Sequence, residues 1–430
     1  MAAMRQAKSG KRVGYGGRQR PRYVLGLMAG TSGDGIDAVC VRIDGHGEDM
    51  RVRLVRHDHR PFAAALRRRL MAVMAPAVAR TEEIARLHAE LGEAFGVAAR
   101  KAIEACDRKW RPTLIGLAGQ TVCHLPGARP GRTVTLQLGD ASRVAARSGL
   151  VTISDFRQGD VAAGGQGAPL VPWTDWVLFR DRDRPRIIQN IGGVANLTWL
   201  PPGARAEDVV AFDTGPGNMI VDGLVARVTG GRERMDRDGR WAARGRVLGG
   251  VLERWLGHPF LARRPPKTTG REEFGRGFVE AELGRLRRAS SVPEDWVATA
   301  TALTARTIAE ACRDCVWSWL RGGGIRPTAG DVERCGLEVI VSGGGAKNPV
   351  LMGFLAEELS GCPINPIDSY GIPSQSKEGI SFAMLAAARV DGIAANLPGV
   401  TGAWGRAVMG VICVPPFFGG CTDRGVGRRS

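Results

Sequence analysis

At 430 residues the chain is longer than one cooperative domain usually runs, and a hydrophobic content of 44% is enough for two sizeable cores. A formal charge of +17 favours anionic ligands, yet the aromatic residues (6%) do not interleave with the basic runs as base-stacking platforms would, so no nucleic-acid partner is expected. No apolar run approaches the roughly 18 residues needed to cross a bilayer, and the nine cysteines and six histidines show no metal-ligand spacing, which leaves a cytoplasmic protein with reduced thiols and no membrane contact.

Residues 1–20 carry Arg5, Lys8, Lys11, Arg12, Arg18 and Arg20 without an acidic residue and read as a flexible basic extension. Residues 24–28 then form a short buried strand, and the apolar pattern resumes at 36–43, so the glycine-rich loop between them sits on a hairpin. That placement differs from a Walker site, whose loop opens a helix and whose lysine motif is absent. Long helical periodicity covers 61–108, broken near Pro76. Strands follow at 114–117, 133–138 and 151–154, with a helix at 141–148. A first unit, 21–153, plausibly ends there, and a second runs from 154 to 415, its last segment returning toward the first.

In the second unit, strands at 187–190, 194–199 and 209–212 come in quick succession, each bordered by glycine. They echo the organisation around Gly30 and are consistent with an ancient duplicated sheet. Helices are expected at 219–228, 296–319, 349–359 and 379–390, a strand at 337–341, connector turns at 366–376, and a strand-like pattern from 402 to 414. Residues 416–430 read as a flexible tail.

Two aspartate-bearing loops carry the chemistry, Gly30-Thr31-Ser32-Gly33-Asp34-Gly35 and Asp213-Thr214-Gly215-Pro216-Gly217-Asn218. Backbone amides in such loops cradle phosphate, and a carboxylate beside phosphate makes sense when a cation lies between them, directly or through water. Asp34 is the metal candidate, an ordinary Asp–Gly turn being the competing reading, and Asp37 is second to it. Asp213 stands at the end of an apolar strand, where ligands collect in open sheets, and fits a general base; capping the next helix is its alternative. Asp155, Arg157 and Asp160 form a charged cluster beside the Gly164-to-Pro169 loop, either a binding wall or a salt-bridged turn. The turn from Ser342 to Asn348 reads as a cradle for a nucleoside, and Glu378 opens the last long helix, where a carboxylate also serves the helix dipole.

Together these segments closely resemble the anhydro-N-acetylmuramic acid kinase family. The resemblance rests on Gly26-Leu-Met-Ala-Gly-Thr-Ser-Gly-Asp-Gly-Ile-Asp37, Gly119-Gln-Thr121, Leu136-Gln-Leu-Gly-Asp140, Asp155-Phe-Arg-Gln-Gly-Asp160 with the following loop to Pro172, Asn190-Ile-Gly-Gly-Val-Ala-Asn196, Phe212-Asp-Thr-Gly-Pro-Gly-Asn218, Pro266-Lys-Thr-Thr-Gly-Arg-Glu272, Ser342-Gly-Gly-Gly-Ala-Lys-Asn348 and Asn396-Leu-Pro-Gly-Val-Thr-Gly402. It implies an α/β, two-lobed actin/hexokinase-like (ribonuclease H-like) fold with mixed central sheets and an active-site cleft between the lobes. It also implies ATP and Mg2+ as cofactors and a small-molecule sugar as partner, with monomer or homodimer left open.

By that resemblance Asp213 is the catalytic base and Glu378 a carboxylate near the sugar. Gly30, Thr31, Ser32, Gly33, Asp34, Gly35, Asp37, Gly193, Gly215, Gly217, Asn218, Gly343, Gly344, Gly345 and Asn348 would hold the nucleotide, and Gln120, Thr121, Asp155, Arg157, Asp160 and Gln166 the sugar. The implied reaction opens the 1,6-anhydro ring with water and phosphorylates O6, giving N-acetylmuramic acid 6-phosphate in cell-wall recycling. A kinase for another sugar, or a catalytically weakened nucleotide-dependent sensor, is the alternative. Four positions depart from the family pattern: Ala29 stands where serine is usual, Gly33 where leucine is common, Ala118 in place of the histidine before Gly119, and Gly379 in place of an alanine.

Overall fold

A computed structural model describes residues 20–30, 32–74, 78–127, 131–320 and 335–416. The basic extension up to residue 19, Thr31, the break at Pro76 and the tail from residue 417 lie outside the described residues.

Strands β1 (Arg22–Met28), β2 (Gly35–Asp44) and β3 (Arg51–Pro61) form an antiparallel meander. Helices α1 (Ala64–Met74) and α2 (Thr81–Glu104) follow, then β4 (Leu114–Leu117), the hairpin β5 (Gln120–Leu125) and β6 (Val134–Leu138), α3 (Ala141–Ser148) and β7 (Val151–Ser154). Next come α4 (Phe156–Ala162) and α5 (Val171–Phe179), a second meander of β8 (Arg186–Ile191), β9 (Val194–Leu200) and β10 (Val210–Pro216), and the helices α6 (Met219–Val228), α7 (Gly249–Leu256), α8 (Arg271–Phe274), α9 (Arg276–Ala289) and α10 (Pro293–Trp319). The described chain ends with β11 (Glu338–Ser342), α11 (Pro349–Glu358), β12 (Ile364–Pro366), α12 (Lys377–Val390), α13 (Pro398–Thr401) and β13 (Val411–Cys413).

The two large sheets share one plan. In the first, the order β3-β2-β1-β4-β7 has two antiparallel pairs followed by two parallel ones, and the second repeats it as β10-β9-β8-β11-β12. Strand β13 joins the first sheet beside β7, antiparallel to it. The strand-like pattern expected over 402–414 is confined to those three residues. Strand β3 has no counterpart among the elements expected from the sequence: it is an edge strand whose arginines and His59 are exposed while His57 is half-buried, so its sequence lacks the apolar run that marks its neighbours.

Helix α12 packs on the first sheet and on α5, which in turn packs on β8 and β9 of the second. Its Ala383, Ala386, Ala387 and Ala388 are fully buried, in one cluster with Val24 and Val39 of the first sheet and Ile188 and Ile340 of the second. Small side chains are required there, since a Cβ on Gly26 would stand 1.9 Å from the Gly379 carbonyl oxygen and one on Gly379 would stand 2.4 Å from Val39 Cγ2. The glycine at 379 is thus matched to a valine at 39. This close approach brings the first turn of α12, with Lys377 and Glu378, up to the ends of both central strands.

Candidate active site

The first glycine loop is the turn of the β1–β2 hairpin. Gly33, left-handed at φ 59°, donates its amide to the Gly30 carbonyl at 3.0 Å. Side chains from outside the loop bind its carbonyls: Gln120 Nε2 donates to Gly30 O at 3.1 Å and Arg67 Nε to Gly33 O at 2.9 Å. A loop whose carbonyl oxygens are occupied by protein donors repels an anion less. Exposed Asp34 accepts from Ser32 Oγ at 2.9 Å, and Gly35 begins β2.

Three further glycine turns meet at the ends of β8, β10 and β11. Gly217 and Asn218 donate their amides to Gly193 O and Gly192 O, at 2.9 and 2.8 Å. A Cβ on Gly217 would stand 2.2 Å from Gly192 O, and one on Gly345 2.3 Å from Ile191 Cγ2, which explains why glycine is needed at both. Gly343, at φ 87°, gives its amide to Ser374 Oγ at 2.7 Å, and Gly344 lies beside the Asn218 side chain. Gly215 occupies the bulge that shifts the β9–β10 register after Asp213. Asn348 caps α11, accepting from the amides of Val350 and Leu351 at 3.0 and 3.1 Å, so its side-chain oxygen is turned to its own helix rather than to a nucleoside.

Between the two sheets lies a cleft of about 520 Å³. Asp37, Gln166, Asp213, Gly343 and Glu378 line it, together with His124, Asp175, Lys267, Thr268 and Lys377. Asp213 is held by one oxygen only. Its Oδ2 accepts from Thr268 Oγ1 at 2.7 Å and from the Thr269 amide at 2.8 Å, while its own amide donates to Lys267 O at 3.1 Å. Burial pushes the carboxyl above the ordinary aspartate range, against the pull of those two donors.

At the start of α12 the Glu378 side chain is open to the cleft, and desolvation between the cleft walls raises its carboxyl; Asp37 adds to that, while Lys377 and Arg157 oppose it. Lys377 itself forms a buried ion pair with Asp175, Nζ to Oδ1 at 2.9 Å, and Thr198 donates to Asp175 Oδ2 at 2.9 Å. Arg157 is half-buried and does not line the cleft; desolvation lowers its pKa, and it donates Nη1 to Gly167 O at 3.1 Å and acts electrostatically on both Glu378 and His124.

Several expected substrate contacts are committed elsewhere. Asp160 is fully buried, its carboxylate accepting from the Gly167 amide, Thr401 Oγ1 and Asn396 Nδ2 at 2.8, 2.7 and 2.8 Å. It braces the loop that carries Gln166 and does not reach the cleft. Gln120 is equally enclosed and supports the first loop, and Thr121 accepts from Gln137 Nε2 at 3.4 Å on the β5–β6 hairpin. Asp155 is not committed in this way: it stands at the N-cap position of α4 in a left-handed conformation, φ 55°, without a side-chain capping hydrogen bond, and burial raises its carboxyl. Among the described residues no group of three or more His, Cys, Asp or Glu side chains could hold a metal ion alone.

Comparison with known proteins decides the lineage. A family model for anhydro-N-acetylmuramic acid kinase matches residues 22–415. The chain belongs to the anhydro-N-acetylmuramic acid kinase family. It is 42% identical to the anhydro-N-acetylmuramic acid kinase of Salinibacter ruber over 403 residues, covering 93% of this chain and 98% of that one. With the same-named protein of Caldanaerobacter subterraneus subsp. tengcongensis it shares 38% identity over 396 residues, 91% and 96% of the two chains. Superposition on solved structures is loose. A ROK family glucokinase from Streptomyces griseus, in complex with glucose and AMPPNP, gives a TM-score of 0.37 at 12% identity, covering 85% of this chain and 99% of that one.

The family motifs account for Asp213, Glu378 and the glycine turns. They do not flag Asp175, Lys377, His57 or Arg67, which come to the site from α5, α12, β3 and α1. A buried carboxylate in an apolar helix was the one available signal: Asp175 interrupts the sequence Val171–Phe179, whose other residues suit a core.

Proposed function

We propose that this chain is an anhydro-N-acetylmuramic acid kinase, which opens the 1,6-anhydro ring with water and transfers the γ-phosphoryl group of ATP to the freed O6. The observation that carries the reading is Asp213: one carboxylate oxygen is fixed by two donors, and Oδ1 takes no hydrogen bond from the described residues at a cleft of small-molecule size. A fixed, ionised carboxylate of this kind takes the proton of a water molecule. The water oxygen bonds to the anomeric carbon as the bond from that carbon to O6 breaks. O6 then bonds to the γ-phosphorus, and ADP leaves. Sugar, water and ATP thus give the 6-phosphate, ADP and one proton.

Two lobes are part of the proposal, 21–153 and 154–415, of the actin/hexokinase-like kind, with the cleft between them as the active site. The first glycine loop and the turns at 192–193, 215–218 and 343–345 would face the nucleotide from opposite sides. Asp34 is the residue that would hold Mg2+. The fit rests on the donor set: an exposed carboxylate that, among the described residues, belongs to no group of three or more such ligands suits a cation that keeps waters and takes its remaining oxygens from phosphate. When bound, the ion would neutralise charge on the transferring phosphate. His124 and Lys267 are the cationic or protonatable groups on the cleft wall that would receive the lactyl carboxylate of the sugar, with Arg157 behind them acting through charge on His124 and Glu378, and Gln166 supplies an amide on the same wall.

Mass spectrometry of the product formed from 1,6-anhydro-N-acetylmuramic acid, ATP and Mg2+ in oxygen-18 water tests the reaction. One solvent oxygen and one phosphate per sugar is the expected result. Phosphate without solvent oxygen would indicate a plain sugar kinase, and no product would remove the kinase reading.

A further inference from the structure

Asp37 is the cleft carboxylate that the proposed chemistry leaves without a partner in the reaction, and its surroundings are unusual. Its Oδ1 receives two imidazoles from β3, His57 Nε2 at 2.8 Å and His59 Nδ1 at 3.0 Å. The two rings differ in exposure, 12% for the His57 side chain and 47% for His59, so His57 is the enclosed one. Its second nitrogen, Nδ1, lies 3.0 Å from Ser376 Oγ, the residue that precedes Lys377 and Glu378. A continuous path therefore runs from a carboxylate on the first sheet, through one ring, to the first turn of α12.

We infer that His57 is a positioning residue, which locks Asp37 into the cleft and ties it to the start of α12 so that Asp37 and Glu378 face the sugar as one unit. The inference rests on the kinase reading and adds a residue to that site. With Nε2 donating to Asp37, the neutral ring can accept the Ser376 hydroxyl on Nδ1; the protonated ring would donate at both nitrogens and fit the same two partners. Burial alone would raise the Asp37 carboxyl, and the hydrogen bonds and charges of His57 and His59 bring it below the ordinary range instead.

The charged groups acting here are His57 and His59 on β3 and Lys377 and Glu378 on α12, with Arg157 of α4 reaching Glu378. An ionised Asp37 favours the protonated form of Glu378. His57 therefore influences two carboxylates that would touch the sugar while itself standing behind the cleft wall.

Three variants and two readouts test this. His57→Leu is expected to lower kcat/KM for the anhydro sugar about 10- to 100-fold, by analogy with the partners that orient metal-ligating side chains from behind. It should also raise the Asp37 carboxyl pKa, read by carbon-13 NMR of labelled aspartate, a shift that a purely structural role would not produce. Ser376→Ala should lose less activity, in the same direction. His57→Gln retains an N–H for Asp37 but offers Ser376 no second ring nitrogen, so it should recover part of kcat. Equal losses in the Leu and Gln variants with an unmoved Asp37 titration would overturn the inference, as would a His57→Leu enzyme of parental kcat/KM. If the parent itself makes no phosphorylated sugar, the kinase reading has failed, and the Asp37 titration in His57→Gln and Ser376→Ala still decides whether the path exists.

Discussion

The hydroxyl of Thr268 donates to Asp213 Oδ2 at 2.7 Å, and with the Thr269 amide it fixes one edge of a carboxylate whose other edge faces the cleft. Residues 266–272 thereby act on a strand end some fifty positions earlier in the chain. Thr268→Val removes one hydrogen bond to the charged form, worth about 1.5–3 kcal/mol, and should lower kcat/KM roughly tenfold or more. Asp213→Asn keeps the shape but cannot accept a proton, so a loss of about 10²- to 10⁴-fold in kcat is expected. Steady-state assays of purified variants check both; an Asn variant at the parental rate would remove Asp213 from the mechanism.

The acid limb of the pH profile follows from the same carboxyl. Asp213 works as a base only when ionised, and burial raises its pKa, so activity should be lost as pH falls through a value above the ordinary aspartate figure of 3.8. Thr268→Val should move that limb higher still. Stability runs the other way. A group whose folded pKa is raised contributes stability that is present below the unfolded pKa and disappears as pH rises through the folded one. At neutral pH the ionised Asp213 is therefore a net cost to the fold, and Asp213→Asn should melt no lower than the parent in a thermal scan.

Arg67 offers a test of the first loop that leaves the carboxylates alone. It donates Nε to Gly33 O at 2.9 Å and Nη2 to Ser32 O at 3.4 Å. Loss of both contacts in Arg67→Ala should raise KM for ATP several-fold, with a much smaller change in KM for the sugar. A lysine cannot span two carbonyls with a planar fork, so Arg67→Lys should restore little. Equal rises in both Michaelis constants would show that the loop does not serve the nucleotide.

How far the sequence carried can be seen residue by residue. The strands flanking Gly30 and Asp213 were legible because each is an apolar run cut short by glycine, a pattern with a local physical cause. Asp213 stood out as a strand-end carboxylate, and the structure places it on the cleft. Asp160 shows the limit of that logic: a charge beside a glycine-rich loop looks the same whether it faces a ligand or braces the loop from within, and here three internal donors claim it. Strand β3 was invisible because an edge strand need not be apolar, and with it went His57 and His59. Asp175 and Lys377 are separated by 202 residues, and no local pattern announces such a pairing.

That pair yields the last prediction. Lys377 and Asp175 are both almost fully buried, with exposures of 8% and 3% for their side chains, and stand 2.9 Å apart at the wall of the cleft. Burial pushes the Asp175 carboxyl up, and the Lys377 ammonium and the Thr198 hydroxyl hold it down. Lys377→Met removes the larger restraint and leaves a buried carboxylate with one hydroxyl, which should cost about 3–5 kcal/mol at neutral pH. The sign of the pH dependence distinguishes this from simple loss of packing. With its folded pKa raised further, Asp175 becomes easier to bury once protonated, so the deficit of Lys377→Met relative to the parent should shrink as pH falls and grow as it rises. The double variant Lys377→Met with Asp175→Leu removes both charges and should recover most of the lost stability, since replacing a whole buried pair by apolar groups is close to neutral. Chemical denaturation of the parent, single and double variants at acid and neutral pH measures all three terms. A double variant no more stable than Lys377→Met, with a deficit independent of pH, would mean that the lysine stem rather than its charge is what the fold requires.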